Sequence, residues 1–85
     1  MPKSLFTSDH VAVVDALKQA RHRAGLTQAE LARRVGKDQS YISIIERSQR
    51  RVDVLEFYAL ARAMGVDPVE LFSEVVCKLP ARIDV

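Results

Sequence analysis

A single glycine between two short helical patterns constrains this chain most strongly. Gly36 divides residues 28–47, which read QAELARRVGKDQSYISIIER, into two such patterns. Glycine adopts the left-handed backbone conformation that ends a helix at little cost, so the chain can turn sharply there. The stretch therefore predicts two helices joined by a tight turn, and the rest of the chain is expected to support them.

The first of these two helices is expected to begin after Thr27. Thr27 and Glu30 have the spacing of a capping box, in which the two side chains satisfy backbone N–H groups at the start of a helix. Three apolar residues then share one helix face: Leu31, Ala32 and Val35. The pattern predicts an amphipathic helix that packs through this face and ends at the glycine.

The second helix, expected from about residue 39 to residue 46 with Asp38 as its cap, has two contrasting faces. At about 100° per residue, Ile42 and Ile45 point inward. The outward and flanking side chains are Gln39, Ser40, Ser43, Ile44 and Arg47. Such short polar groups suit a helix in the major groove of DNA, where glutamine and serine read base edges and arginine binds a phosphate.

These residues resemble the helix-turn-helix of the XRE family of phage-repressor-like (lambda Cro/C1-type) bacterial regulators. The resemblance is carried by GLTQxELA from Gly25, by the central glycine and by YISxIER from Tyr41, and it covers roughly residues 17–72. It implies an all-α fold, a compact five-helix bundle of the lambda-repressor-like DNA-binding type. We expect a single domain over residues 1–85, with residues 1–7 and 77–85 as a peripheral leader and tail.

The resemblance also implies specific contacts and departures. Family members usually pair an arginine at the position of Arg21 with a glutamate at the position of Glu46, which predicts an ion pair clamping the first helix to the recognition helix. They usually have glycine where Ser48 stands, and often proline where this chain has Val52. The backbone path of this loop is therefore left open.

Three further helices are predicted around the central pair. The first begins near Ser8 or Asp9 and runs to Ala24, with an apolar stripe at helical spacing. That stripe consists of Val13, Leu17, Ala20 and Ala24. The fourth helix begins with a second capping box, formed by Asp53 and Glu56. Its apolar residues cover much of its circumference, which predicts central packing for Leu55, Phe57, Ala59, Leu60, Ala61 and Met64, with Tyr58 in the core.

The fifth helix is expected to follow Asp67, with Pro68 at its first position, and to run to about residue 76. It has four apolar residues, many for the last helix of so small a domain: Leu71, Phe72, Val75 and Val76. The resemblance implies that this end often supports dimerisation. We therefore predict a homodimer interface on this helix.

The predicted DNA-binding set joins the outward face of the second helix to the residues on either side of it. The set is Gln28, Asp38, Gln39, Ser40, Ser43, Ile44, Arg47, Arg50 and Arg51. Gln39 is expected to pair with adenine, and Gln28 to aim at a phosphate. Arg50 and Arg51 are expected to bind the phosphate backbone, with a solvated turn as the alternative. Ile44 either touches a thymine methyl or tucks into the core.

Charge distribution supports a polyanionic partner for the centre of the chain. The net charge is only +2, but residues 21–51 contain eight basic and three acidic residues, whereas the remainder contains five basic and eight acidic ones. A basic centre between acidic flanks has the right sign for DNA on one side. A single cysteine, Cys77, cannot form an internal disulfide and suits a reducing cytoplasm, where we expect the protein to act.

The sequence argues against an enzyme. His10 and His22 lie twelve positions apart, outside the spacings that place two imidazoles on one metal ion. No glycine-rich phosphate loop or paired carboxylate motif is present, and no cofactor is expected. The main hypothesis is a sequence-specific DNA-binding transcriptional regulator that acts as a homodimer on a palindromic operator. The alternatives are a protein-interaction module, such as an antitoxin or helper protein, and a controller protein of a restriction–modification system.

Overall fold

A computed structural model of the protein describes residues 8–83, which form five α-helices. They are α1 (Ser8–Arg23), α2 (Gln28–Arg34), α3 (Gln39–Glu46), α4 (Val54–Ala63) and α5 (Pro68–Cys77). The described residues contain no strand, so the predicted all-α fold with five helices is confirmed. The expectations for the leader, residues 1–7, and for the last two residues of the tail lie outside the described residues.

One face of α1 packs into the core that all five helices share. Leu17 and Ala20 are buried and Val13 is partly buried, as the apolar stripe predicts, and Ala12 and Ala16 add to the same face. Ala24 is exposed, so its predicted place in the stripe is wrong. The reason is that α1 ends at Arg23 and the chain then leaves the helix axis at the left-handed Gly25.

The central pair of helices forms as the sequence predicts. Thr27 Oγ1 accepts the N–H of Glu30 at 3.1 Å, and Glu30 Oε1 accepts the N–H of Thr27 at 2.8 Å, which completes the capping box. Gly36 has φ +73° and makes the turn. Ile42 and Ile45, each 2% exposed, anchor α3 in the core. The outward face of α3 is fixed by these two anchors.

Asp38 precedes α3 at the N-cap position, but its carboxylate accepts no backbone hydrogen bond from the helix. It accepts instead the hydroxyl hydrogen of Ser40, with 3.3 Å between the two oxygens. The predicted side-chain cap is therefore wrong, because the carboxylate is turned toward a neighbouring side chain rather than toward the open N–H groups.

The predicted ion pair between α1 and α3 is confirmed, and it is buried. Arg21 Nε lies 2.6 Å from Glu46 Oε2, and Arg21 Nη2 lies 2.9 Å from Glu46 Oε1. The two side chains are 9% and 5% exposed. Arg21 Nη1 also donates to the carbonyl of Leu26 at 2.7 Å, so the same guanidinium holds the loop between α1 and α2. Such bidentate pairs fix the relative orientation of the two side chains as well as strengthening the interaction between them.

Two features define the loop between α3 and α4. Ser48 has φ +57°, the left-handed conformation that the family's usual glycine adopts more readily. Val52 has a backbone N–H that a proline would lack, and it donates to His10 Nε2 at 3.3 Å. Ser48 thus adopts the backbone conformation usual for glycine at this position, and the buried His10 accepts the backbone N–H of Val52 at the end of the loop.

Central packing was predicted for α4, and this is wrong for half of its circumference. Phe57, Leu60, Ala61 and Met64 are buried as predicted, whereas Leu55 is 78% exposed, Tyr58 is 50% exposed and Ala59 is also exposed. Val54, at the start of the helix, is 83% exposed. The capping box of Asp53 and Glu56 is present. Among the helices, α4 packs chiefly against α2 and α5, which leaves part of its apolar circumference exposed.

The apolar residues of α5 divide between two environments. Leu71 and Val75 are fully buried in the core of the chain itself, whereas Phe72 and Val76 are about half exposed. The edge of the Phe72 ring packs on Phe57, with 5.8 Å between ring centroids. Leu79, in the predicted peripheral tail, packs partly against the core. No helix among the described residues is long and apolar enough to span a membrane.

We expect Ser48→Gly to raise the free energy of unfolding by about 0.5–1 kcal/mol. Release of the left-handed serine stabilises the fold by about 1–2 kcal/mol, and the greater freedom of glycine in the unfolded chain offsets part of this. Urea denaturation measures the change. Gln49→Gly, at an exposed neighbour whose φ is not positive, is the matched control and should destabilise. Destabilisation by both substitutions to a similar degree would contradict the strain argument.

Stability should also depend on the protonation of His10. Burial, and secondarily the charge of Arg51, lower the pKa of His10, so the folded state binds this proton less readily than the unfolded state. The contribution of neutral His10 to the free energy of unfolding is therefore fully present above the pH at which a free histidine titrates. It is lost as the pH falls through the lowered pKa of the folded state. Urea midpoints should fall between about pH 7 and pH 5. His10→Gln should flatten this dependence, and an equally steep profile in that variant would rule the histidine out.

Candidate DNA-binding surface

The outward face of α3 is accessible and polar. Gln39, Ser40 and Arg47 are exposed, and Ser43 and Ile44 are half-buried beside them. The amide, hydroxyl and guanidinium groups of this face can donate or accept hydrogen bonds without any rearrangement of the core. The arrangement matches the predicted one, and Ile44 stands at the border between the surface and the core.

Gln39 is held by a chain of hydrogen bonds that ends at the buried ion pair. Its Nε2 donates to Gln28 Oε1 at 2.6 Å, and Gln28 Nε2 donates to Glu46 Oε1 at 2.9 Å. Glu46 in turn binds Arg21. One N–H and the oxygen of the Gln39 amide remain to pair with a base, which is the donor and acceptor pair that adenine requires.

Gln28 therefore has a position that the sequence did not reveal. It is half-buried, and both ends of its amide are engaged within the protein. The Gln28 amide therefore orients the Gln39 side chain through a direct hydrogen bond. Its contact with a phosphate stays a prediction, which would use the remaining hydrogen of its amide nitrogen.

The carboxylate at the end of this chain stays ionised. Burial alone would raise the pKa of Glu46, but the hydrogen bonds from Arg21 and Gln28 and the charge of Arg21 outweigh burial and hold that pKa below its ordinary value. Lys18 adds a smaller effect in the same direction. A permanent negative charge thus receives the Gln28 amide at neutral pH and fixes which way that amide points.

The two ends of α3 carry opposite charges. At its start, Asp38 is exposed and bound by the Ser40 hydroxyl, so its own carboxylate is turned aside from the helix. At its end, Arg47 Nε donates to the carbonyl of Ser43 at 3.3 Å. This bond holds the side chain of the exposed Arg47 against the last turn of α3.

The two arginines of the following loop differ in environment. Arg51 is exposed. Arg50 is half-buried, with Nη1 2.9 Å from Glu56 Oε2 and its guanidinium carbon 5.4 Å from the centroid of the Tyr41 ring. Only Arg51 is therefore ready to meet a phosphate without first losing a partner. This difference between two neighbouring arginines could not be predicted from the sequence.

The sequence analysis missed the cluster around Tyr41, which it used only as the first residue of the YISxIER motif. The Tyr41 hydroxyl donates to Glu56 Oε2 at 2.8 Å, and Lys37 Nζ lies 5.5 Å from the centroid of its ring. Two cations therefore lie near one aromatic ring on the flank of α3. No helical periodicity brings Lys37, Arg50 and Glu56 together, because they lie in three separate segments of the chain that meet only in the folded structure.

Within residues 8–83, no group of three or more histidine, cysteine, aspartate or glutamate side chains is placed to hold a metal ion. The surface consists of hydrogen-bonding groups and positive charge around one exposed helix. Such a surface can bind a polyanion and distinguish base edges through its amide and hydroxyl groups.

Comparison with known proteins agrees with this geometry. A family model described as helix-turn-helix matches residues 17–71. An uncharacterized HTH-type transcriptional regulator of Sinorhizobium fredii, y4dJ, is 47% identical over 51 residues. That alignment covers 60% of this chain and 66% of the relative, so the chain spans slightly less than two thirds of that protein.

Solved structures with the same fold include an XRE-family like protein from Pseudomonas syringae pv. tomato, 42% identical, with a TM-score of 0.78 over 86% of this chain and 89% of the other. The restriction–modification controller protein C.AhdI from Aeromonas hydrophila is 38% identical, with a TM-score of 0.70 over 78% and 100%. The wild-type controller protein C.Esp1396I is 27% identical, with a TM-score of 0.77 over 84% and 93%. With these similarities and the geometry of α2 and α3, the chain belongs to the XRE family of helix-turn-helix proteins, which are DNA-binding transcriptional regulators and not enzymes.

Proposed function

We propose that this protein is a sequence-specific transcriptional regulator that binds a palindromic DNA site as a homodimer. In this proposal α3 lies in the major groove, and the loop after it lies along the phosphate backbone. The observation that carries the proposal is the exposed amide of Gln39 at the start of α3, which accepts its orientation from a hydrogen bond to Gln28 at the start of α2. An amide already held in the direction of a matching base edge binds that base more tightly than a freely rotating one, because less side-chain freedom is lost on binding.

Each predicted DNA-binding residue has a role in the proposal. Gln39 reads adenine, while Ser40 and Ser43 donate to bases or phosphate. Ile44 meets a thymine methyl, which its position at the border of the surface permits. Phosphates are bound by Gln28, Arg47, Arg50 and Arg51. Asp38 lies at the edge of the surface, where its charge disfavours close approach of a phosphate and so limits the register of binding.

The homodimer is proposed to form through an open apolar groove between α4 and α5. The groove has a volume of about 650 Å³, and its exposed lining includes Val54, Tyr58, Val69, Phe72 and Val76. Contiguous exposed apolar residues of this kind mark interaction sites in small soluble domains. The predicted interface is revised accordingly: Leu71 and Val75 are buried in the chain's own core and support the groove from behind, so Phe72 and Val76 alone remain from the predicted four.

A controller protein of a restriction–modification system is a specific form of this proposal. It is favoured by the similarity to C.AhdI, whose whole length is covered at 38% identity, and to C.Esp1396I. A protein-interaction module, such as an antitoxin, is the second candidate, and the apolar groove is the observation that favours it. A co-purifying partner polypeptide without salt-dependent DNA binding would distinguish this second candidate from the first.

Selection of bound sequences from a random DNA pool, read at two salt concentrations, tests the proposal. We expect a symmetric motif with half-sites about one helical turn, or ~34 Å, apart. Affinity should fall steeply as salt rises, since bound lysine and arginine release counterions from the DNA. Recovery of no motif, or of a motif without symmetry, would contradict sequence-specific binding by a homodimer.

Gln39→Ala should relax base preference at one position of each half-site and cost about 1–3 kcal/mol on the selected site, because the bidentate amide contact is lost. Arg51→Ala is the comparison variant. It should weaken selected and random duplexes alike and reduce the salt slope by about one unit. Fluorescence anisotropy with both duplexes measures these changes. Equal weakening of the two duplexes by Gln39→Ala would show that Gln39 does not read a base.

Val76→Glu should convert the dimer to a monomer, because it places a charge on the apolar groove where a partner would bury it. Leu55→Glu is the matched control, since Leu55 is an exposed apolar residue outside the groove and its substitution should leave the dimer intact. Sedimentation at micromolar concentration measures both. A monomeric wild-type protein, or equal dissociation in the two variants, would contradict the proposed interface.

A further inference from the structure

Glu56 places a negative charge against an arginine that the proposed function assigns to DNA. Its Oε2 lies 2.9 Å from Arg50 Nη1, and the two side chains are 22% and 39% exposed. Arg50 also lies against the Tyr41 ring, at 5.4 Å from its centroid, on the flank of α3. The guanidinium that the proposed function assigns to a phosphate is therefore already paired with a carboxylate.

The two partners differ in how firmly they are held. Glu56 Oε1 accepts the N–H of Asp53 at 3.0 Å, and Glu56 Oε2 accepts the Tyr41 hydroxyl at 2.8 Å. These bonds tie the carboxylate to the start of α4 and to the side of α3. Arg50 lies on a loop, and its guanidinium group is at the end of a long flexible side chain. A competing anion would therefore move the arginine and leave the glutamate in place.

The carboxylate also remains charged at neutral pH. Burial would raise the pKa of Glu56, but the Asp53 N–H and the contacts with Arg50 and Tyr41 outweigh burial and keep that pKa below its ordinary value. A phosphate that approaches Arg50 must compete with this fixed negative charge. The net binding free energy of the contact between Arg50 and a phosphate is therefore smaller, because the ion pair between Arg50 and Glu56 must be broken first.

We propose that Glu56 sets the affinity of the protein for DNA by holding Arg50 in an ion pair that a phosphate must displace. This inference rests on the proposed function. Because phosphates are common to all duplexes, the restraint weakens binding to selected and random sequences alike. Glu56 does not touch the DNA itself and acts through Arg50 as a positioning residue.

Glu56→Gln tests the inference in the full chain. Glutamine keeps an oxygen that can accept the Asp53 N–H, so the start of α4 is preserved. It has no negative charge, however, and cannot form an ion pair with Arg50. We expect affinity for a random duplex to rise about two- to fivefold at fixed salt, which is the range that a partly exposed ion pair supplies. Circular dichroism establishes that the variant is folded at the temperature of the binding measurement.

Two comparisons separate an effect through Arg50 from an effect of net charge. Asp53→Asn removes one negative charge from the same helix start, and asparagine caps a helix about as well as aspartate, so it should change affinity by less than Glu56→Gln. In an Arg50→Ala background, Glu56→Gln should give no gain, because no arginine is left to release. Arg50→Ala alone should reduce the salt slope by about 0.9.

A measurement on the unaltered protein provides a second test. The ¹³C resonance of the Glu56 carboxyl carbon should shift when a duplex is added, because Arg50 leaves it. A gain from Glu56→Gln that persists in the Arg50→Ala background, or a Glu56 resonance that stays fixed at saturating DNA, would overturn the inference while leaving DNA binding intact. Failure of the unaltered protein to bind any duplex in a salt-dependent way would overturn the proposed function together with the inference.

Discussion

The buried ion pair between Arg21 and Glu46 is the contact on which the rest of the structure depends. It joins α1 to α3, and Arg21 also holds the carbonyl of Leu26 ahead of α2. A buried pair of this kind adds little net stability compared with apolar packing, but the loss of one partner leaves an uncompensated charge that costs several kcal/mol. Its main consequence is geometric, because it fixes the orientation of α3 relative to the helices behind it.

Hydrogen bonds between side-chain amides connect this ion pair to the exposed surface of α3. Glu46 accepts a hydrogen bond from Gln28, and Gln28 accepts one from Gln39. A charge buried in the bundle thus determines how a side chain on the exposed face of α3 is presented. The arginines have separate tasks in the same arrangement: Arg21 is structural, Arg50 is held by Glu56, and Arg51 is exposed.

Much of the local chemistry was predictable from the sequence, although the Asp38 cap was not formed, whereas of the contacts between distant segments only the Arg21–Glu46 pair was predicted, through the family resemblance. The capping boxes at Thr27 and Asp53 and the turn at Gly36 involve residues close together in the chain, and all three were predicted. Leu55 and Tyr58 were wrongly placed in the core, because helical periodicity shows which faces are apolar but not which faces a neighbour covers. The Gln28–Gln39 and Arg50–Glu56 contacts join separate segments, and no spacing in the sequence indicated them.

The central claim is that the face of α3 oriented by this network is the surface that meets DNA. NMR chemical-shift mapping with a duplex recovered by selection tests it most directly. We expect the largest changes at the side-chain amides of Gln28 and Gln39 and at the backbone of residues 38–51, with little change at Val69 and Leu55. Changes centred on the groove between α4 and α5, with the two glutamine amides unaffected, would contradict it.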